Sequence, residues 1–220
     1  GINTNPQIPS SIRDFQRELF WPFWLNAVQK HGVSAGMYSP GGPPEGDYIR
    51  YSTFDINDGR QSFGIQNTFS FIQEGMNGED NYVENLPHRS YSQFCGMMTL
   101  LKFVYDNGAE MKRRVKEERN RLLNPEMRES VALQMDHFPD GSTLELPVFS
   151  YRTKRDSAVT VKNFRPLVKA TLNVEKPEGY LIPVSDKDLT EWVKRHGFTV
   201  SKISEKRDFK FEKIRILAVD

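Results

Sequence analysis

The chain has 220 residues, enough for one large domain or two small ones, and carries a formal net charge of +1 from 30 basic and 29 acidic side chains. That near-balance removes the long-range positive field on which nucleic-acid binding depends, and no basic cluster is interleaved with stacking aromatics. No stretch reaches the roughly 20 apolar residues that a membrane-spanning helix requires.

Aromatic residues make up 12% of the chain, so the expected core is built around Phe, Tyr and Trp rather than aliphatic residues alone. The single cysteine, Cys95, excludes an intramolecular disulfide and reads as a small core residue within a helix. The sequence opens on Gly1 without an initiator Met or a signal peptide, which points to a segment of a longer protein.

Ser10 and Ser11 can cap a helix over Ile12 to His31, with Pro22 kinking it and Gly32 closing it. A short strand is expected from Val33 to Tyr38, then a Pro- and Gly-rich loop from Ser39 to Gly46. Asn57-Asp58-Gly59 is the sharpest turn signal in the next segment. The run Gly64 to Gly75 reads as an apolar strand that delivers one carboxylate, Glu74, to its carboxyl end, where ligands gather in open α/β sheets. After a loop at Met76–Asn81, a helix is expected from Ser90 to Tyr105, interrupted at Asn107-Gly108, with a more polar helix from Ala109 to Leu123. The basic run from Lys112 to Arg121 is punctuated by Glu117 and Glu118 at helical spacing, the pattern of a solvated helix face.

Beyond a boundary near residues 124–135 the pattern changes. Thr143 to Tyr151 and Ala158 to Phe164 alternate like strands, joined by a turn at Lys154–Ser157. Gly179 to Pro183 reads as a short strand. Ser185 and Asp188 form a capping-box-like pair that opens a helix to His196, stopped by Gly197. Phe198 to Ile203 and Phe209 to Val219 close the chain as a strand pair.

The chemical inventory is thin. None of the four histidines lies in an HxxE or HExxH arrangement. His31 and His196 precede glycines at helix ends, where an imidazole suits the negative helix pole. His88 has no partner nearby in sequence, and His137 stands between Asp136 and Asp140 at a spacing that makes a poor metal pattern. There is no GxSxG elbow and no Walker loop, and Gly41-Gly42 precedes prolines rather than a helix.

Arg50-Tyr51-Ser52-Thr53, followed by Gly64-Ile65-Gln66-Asn67 and Phe71-Ile72-Gln73-Glu74-Gly75, resembles the last part of the catalytic domain of zinc carboxypeptidases of the carboxypeptidase A-like family. Tyr180-Leu181-Ile182-Pro183 and Arg195-His196-Gly197-Phe198-Thr199-Val200 resemble the small domain appended in large bacterial members. The resemblance implies an α/β fold, a partial mixed sheet flanked by helices over residues 1–125, followed by a small α+β accessory domain over 126–220. It implies that Glu74 is the general acid/base, that Tyr51 is a substrate-side tyrosine and that Arg50 binds substrate or braces the loop. It also implies zinc in the full-length protein, with ligands upstream of Gly1, and a secreted or periplasmic setting. In such enzymes zinc acidifies its bound water and the glutamate moves the proton.

Two readings follow. The chain is the metal-free portion of a hydrolase that cleaves peptide bonds in peptide or peptidoglycan-like substrates, inert without its missing N-terminal region. Alternatively it is a non-catalytic peptide- or glycan-binding or scaffold module, or a pseudoenzyme, in which Glu74 is incidental.

Overall fold

The computed structural model describes residues 1–42, 47–75, 85–124, 130–206, 208 and 210–212. Helices and small sheets both occur, so the class is mixed α/β. By its internal contacts the chain divides into two compact units, Gly1–Lys176 and Pro177–Asp220. The division falls later than the 125/126 boundary expected from composition, because residues 130–176 bond back to the first part. Gln7 Nε2 donates to the Ala132 carbonyl at 3.0 Å, and strand β1 (Ile49–Arg50) pairs in parallel with β5 (Phe164–Arg165).

The first helical stretch is one rod in three parts: α1 (Ser10–Phe15), a π-helical turn (Gln16–Phe20) and α2 (Trp21–Lys30). Pro22 has no N–H to offer the carbonyl four residues back, and a widened turn just before it absorbs that loss. The Trp21 N–H reaches the Gln16 carbonyl, five residues back. No serine side chain caps the start; Pro9 stands at that position. The stop is as expected. Gly32 adopts φ 71°, its N–H meets the Gln29 carbonyl at 2.9 Å, and the Val33 N–H meets the Val28 carbonyl at 3.1 Å. This is the double closure that a left-handed residue permits, and it buries Val28 and Val33 together. Gly197 closes α5 (Lys187–Arg195) in the same way. At the start of α5 the cap is Asp186, whose Oδ1 accepts the Leu189 N–H at 2.9 Å, rather than the Ser185–Asp188 pair.

The expected helix break at Asn107-Gly108 does not occur. A single helix, α4, runs from Leu86 to Leu122 through both residues. An interior glycine costs only about 1 kcal/mol, and here packing outweighs it: Phe103 and Met111, on either side, are buried in one cluster with Ile2, Phe15 and Phe20. The basic run is paired largely within the helix, as its spacing predicts. Arg113 bonds Glu110 and Glu117, and holds the Glu110 carboxyl down to about 2 together with Arg114. Two of its members reach further: Arg114 donates to the Ser11 carbonyl at 2.9 Å and Arg119 to the Gln66 carbonyl at 3.2 Å.

Among the described residues the strands form three two-stranded sheets in place of the partial mixed sheet. The hairpin β3 (Leu144–Ser150) and β4 (Arg155–Val161) matches the alternating pattern and turns at Lys154, φ 53°. The long antiparallel pair β2 (Ser130–Phe138) and β6 (Leu167–Glu175) is not anticipated by the sequence reading. Val33–Tyr38, Gly179–Pro183 and Phe198–Ile203 are not strands, since no described segment pairs with them in a ladder. Phe209–Val219 lies largely outside the described residues, as do the loop at Met76–Asn81, part of the Ser39–Gly46 loop and the Pro125–Glu129 part of the expected boundary.

Gly64–Gly75 is likewise not a strand. Its first residue ends helix α3 (Gly59–Gly64), which Asp58 caps by accepting the Arg60 and Gln61 N–H groups. Asn67 turns the chain at φ 53°, and residues 69–75 then run on without a ladder. Phe69 and Phe71 both pack into the aromatic cluster, Phe69 with Phe15 at 5.4 Å and Phe71 with Phe20 at 4.4 Å between ring centroids. Ile72 between Phe71 and Gln73 is exposed. This two-residue alternation is strand-like, although the hydrogen bonds come from elsewhere.

Buried amides fasten the first residues to this region. Gln61, fully buried, accepts the Thr4 and Asn5 N–H groups at 3.1 and 3.0 Å and donates to Thr4 Oγ1 and the Thr53 carbonyl. Gln61→Ala leaves these groups unsatisfied and is expected to lower stability by about 2–4 kcal/mol. A shift of the urea midpoint at unchanged slope checks it; an unchanged midpoint removes Gln61 from this role.

Candidate functional site

Of the three residues singled out from sequence, the structure brings two together. Arg50 and Tyr51 leave β1, which is held on both edges. On one side the Ile49 N–H meets the Asn163 carbonyl at 3.1 Å; on the other the Arg50 N–H meets the Pro40 carbonyl at 3.1 Å. Arg50 Nη1 donates to the Tyr51 carbonyl at 3.1 Å, so the guanidinium braces the chain as it exits the strand. The Tyr51 ring stands edge-on to Phe164 at 5.0 Å. Burial, and then the Asp140 carboxylate, push its phenol above the usual tyrosine range.

Around this pair lie Tyr48, Phe164 and Arg165, which the sequence reading did not single out, and His137, which it weighed only as a poor metal pattern. Arg165 stacks its guanidinium 4.0 Å above the Tyr48 ring, a separation at which ring and cation attract. His137, from β2, is buried and packs against Phe54 at 5.3 Å. Burial, followed by the Arg50 guanidinium, holds the His137 imidazole below its ordinary pKa, against the Arg165 main chain and the Asp136 and Asp55 carboxylates. The ring is therefore neutral at pH 7. The signal that could have found this cluster is the interleaving of rings and cations in Tyr48-Ile49-Arg50-Tyr51 and Phe164-Arg165. Only the parallel pairing of β1 with β5 makes the two runs one surface.

Glu74 stands apart. It is exposed, and no described residue forms a hydrogen bond or ion pair with it. It emerges after Gln73, whose side-chain amide donates to the Gln93 carbonyl and to Gln93 Oε1, both at 2.9 Å, and lies against Gly96 of α4. A side chain at Gly96 would collide with that amide, at 2.4 Å from the position of its Cβ. Open concavities lie at Ser185–Asp188 and among Pro6, Arg13, Asn67, Glu118 and Arg121; neither is lined by Glu74, Arg50 or Tyr51.

The zinc that the resemblance implies finds no fitting donor set among the described residues. Among the described residues no three His, Cys, Asp or Glu side chains converge. His31 contacts Tyr91, His137 is packed on Phe54, and His196 stacks on Trp192 at 4.1 Å, each on a different element. Among the described residues no helix is long and apolar enough to cross a membrane. No family model, curated protein or solved structure matches the chain.

The depressed imidazole makes stability depend on pH in a definite sense. The unfolded chain takes up a proton at His137 as pH falls through about 6.5, whereas the folded chain resists it. Stability present above that pH is lost as it falls toward the folded-state value. His137→Phe is expected to flatten the fall in Tm between pH 7.5 and 5.5 relative to the wild type; equal falls assign the pH dependence to other groups.

Proposed function

We propose that this chain is the part of a zinc carboxypeptidase-like hydrolase that carries the general acid/base, Glu74, and that it acts on peptide bonds only with the polypeptide that holds the metal. The supporting observation is how Glu74 is delivered. The backbone leading to it is anchored at three alternate carbonyls: Thr68 by Asn3 Nδ2, Ser70 by Gln16 Nε2 and Ile72 by the Gly1 nitrogen, at 3.2, 2.8 and 2.5 Å. The main chain is thus fixed, while the carboxylate acts electrostatically on the Gly1 ammonium and makes no hydrogen bond or ion pair with a described residue. A general base has to combine a defined position with freedom to take and return a proton. Zinc, on this proposal, is held by residues outside this chain, and the purified chain retains less than a stoichiometric equivalent by metal analysis.

Tyr51 and Arg50 are then substrate-side groups. The Tyr51 phenol, kept protonated by its surroundings, is a hydrogen-bond donor toward a peptide carbonyl or carboxylate. Arg50 keeps the segment bearing it in place through the Tyr51 carbonyl. One observation favours a second reading, a non-catalytic peptide- or glycan-binding module: the ring-and-cation cluster around Tyr51 is complete without Glu74.

The two readings separate in the full-length gene product. Glu74→Gln is expected to lower kcat on a peptide substrate by about 10²–10⁴-fold with Tm unchanged, since Glu74 bonds to no described residue. Near-normal turnover removes Glu74 from the chemistry. If no turnover exists to lose, loss of peptide or glycan retention in Tyr51→Ala supports the binding module.

A further inference from the structure

Two guanidiniums stand side by side on the strand pair β1–β5 without a carboxylate to neutralise them. Arg50 and Arg165 are register partners in a parallel pair, so their side chains leave the same face of strands about 4.8 Å apart. Like charges set directly opposite one another in a sheet are unfavourable. Arg50 spends one donor on the Tyr51 carbonyl at 3.1 Å. Arg165 spends one on Asn163 Oδ1 at 3.4 Å, with its plane resting on the Tyr48 ring. Among the described residues neither forms an ion pair, and their other donors meet no acceptor. Carboxylates are near, but each is engaged locally. Asp136 Oδ1 accepts the His137 N–H at 2.7 Å and Asp140 Oδ1 the Ser142 N–H at 2.9 Å. Asp55 takes the Thr53 hydroxyl, and Asp47 Oδ1 accepts from Asn163 Nδ2 at 3.4 Å.

His137 supplies an independent sign at the same place. The residue is 4% exposed, and neither Nδ1 nor Nε2 meets a hydrogen-bond partner among the described residues. Its ring packs on Phe54, and its strand partner Val168 lies in β6, which follows β5 after Pro166 alone. Arg50 is the charge that acts on it most strongly, ahead of Asp136 and Asp55. The Arg165 main chain favours the charged ring without reaching bonding geometry. A neutral imidazole still carries one N–H, and a buried donor without a partner marks where an acceptor belongs. A neutral acceptor such as water satisfies the ring but leaves both guanidiniums unpaired. An acceptor that carries negative charge meets both needs, and phosphate and carboxylate oxygens match the planar donor fork of arginine.

We propose that Arg50, Arg165 and His137 together bind an oxyanion, a phosphate or a carboxylate, with the guanidiniums pairing its charge and an imidazole N–H donating to one of its oxygens. The site needs neither Glu74 nor zinc; β1, β2 and β5 supply all of it. Arg50 keeps its brace on the Tyr51 carbonyl through one donor and offers the others. A bound oxyanion also reverses the electrostatics around the ring. Arg50 opposes protonation of His137, whereas an anion offsets Arg50 and acts in the same sense as Asp136 and Asp55. Binding therefore tightens as pH falls, and the ring becomes easier to protonate when the anion is present.

Titration of the His137 ring by NMR tests this on the 220-residue chain, in chloride, phosphate and acetate at equal ionic strength. The expected result is a ring pKa at least about 0.5 unit higher in phosphate than in chloride, with the rise lost in Arg165→Gln. Arg165→Lys keeps the charge but not the planar fork, so a smaller rise than in the wild type is expected there; it carries the comparison if Arg165→Gln does not fold. A rise in acetate equal to that in phosphate supports a carboxylate ligand, and a rise in phosphate alone supports a phosphate. The same ring pKa in all three salts overturns the proposal and leaves His137 a packing residue. A rise undiminished by substitution of Arg165 overturns it as well, because the anion then binds elsewhere.

Discussion

Side-chain amides do along residues 68–72 what a neighbouring strand does in a sheet. Asn3 and Gln16 reach alternate carbonyls, and Gly1 closes the row at Ile72. A buried carbonyl without a donor is costly, so these bonds decide where the segment can lie. Once it lies there, Phe69 and Phe71 turn inward onto Phe15 and Phe20, and Phe103 from α4 closes the cluster against both Phe15 and Phe20. Gln16 itself begins the turn that is widened ahead of Pro22.

Much of the local punctuation was legible. His31-Gly32 and His196-Gly197 both end helices, Cys95 is a buried core residue, and the Leu144–Val161 hairpin follows its alternation. These features depend on a few adjacent residues. What was not legible depends on distant ones. The β2–β6 pair joins residues 130–138 to 167–175 across the intervening hairpin, and β2 interrupts its own alternation with a register shift between Ala132 and Gln134. The continuity of α4 through Asn107-Gly108 needs the tertiary anchors Phe103 and Met111, which no local window contains.

The candidate site divides along the same line. Arg50 and Tyr51 are adjacent in sequence, and their company, His137, Phe164 and Arg165, arrives through sheet pairing. Glu74 was read as the end of a strand on the evidence of an apolar run. The run does alternate, but among the described residues its sheet partner shrinks to the mutual pair of Gly1 and Ile72. Hydrophobic periodicity reports which side chains face inward; it does not report where the backbone hydrogen bonds go.

That distinction bears on what Glu74 can be. A carboxylate held by its own hydrogen bonds is fixed but committed to those partners. A carboxylate held through the main chain before it is fixed in position and still free to act, and the anchors at Thr68, Ser70 and Ile72 are of that kind. No described residue gives the carboxylate a hydrogen bond, and on the function proposed a proton donor has to be brought to it. On the function proposed, what this chain contributes is a carboxylate whose position is set by its backbone rather than by bonds of its own.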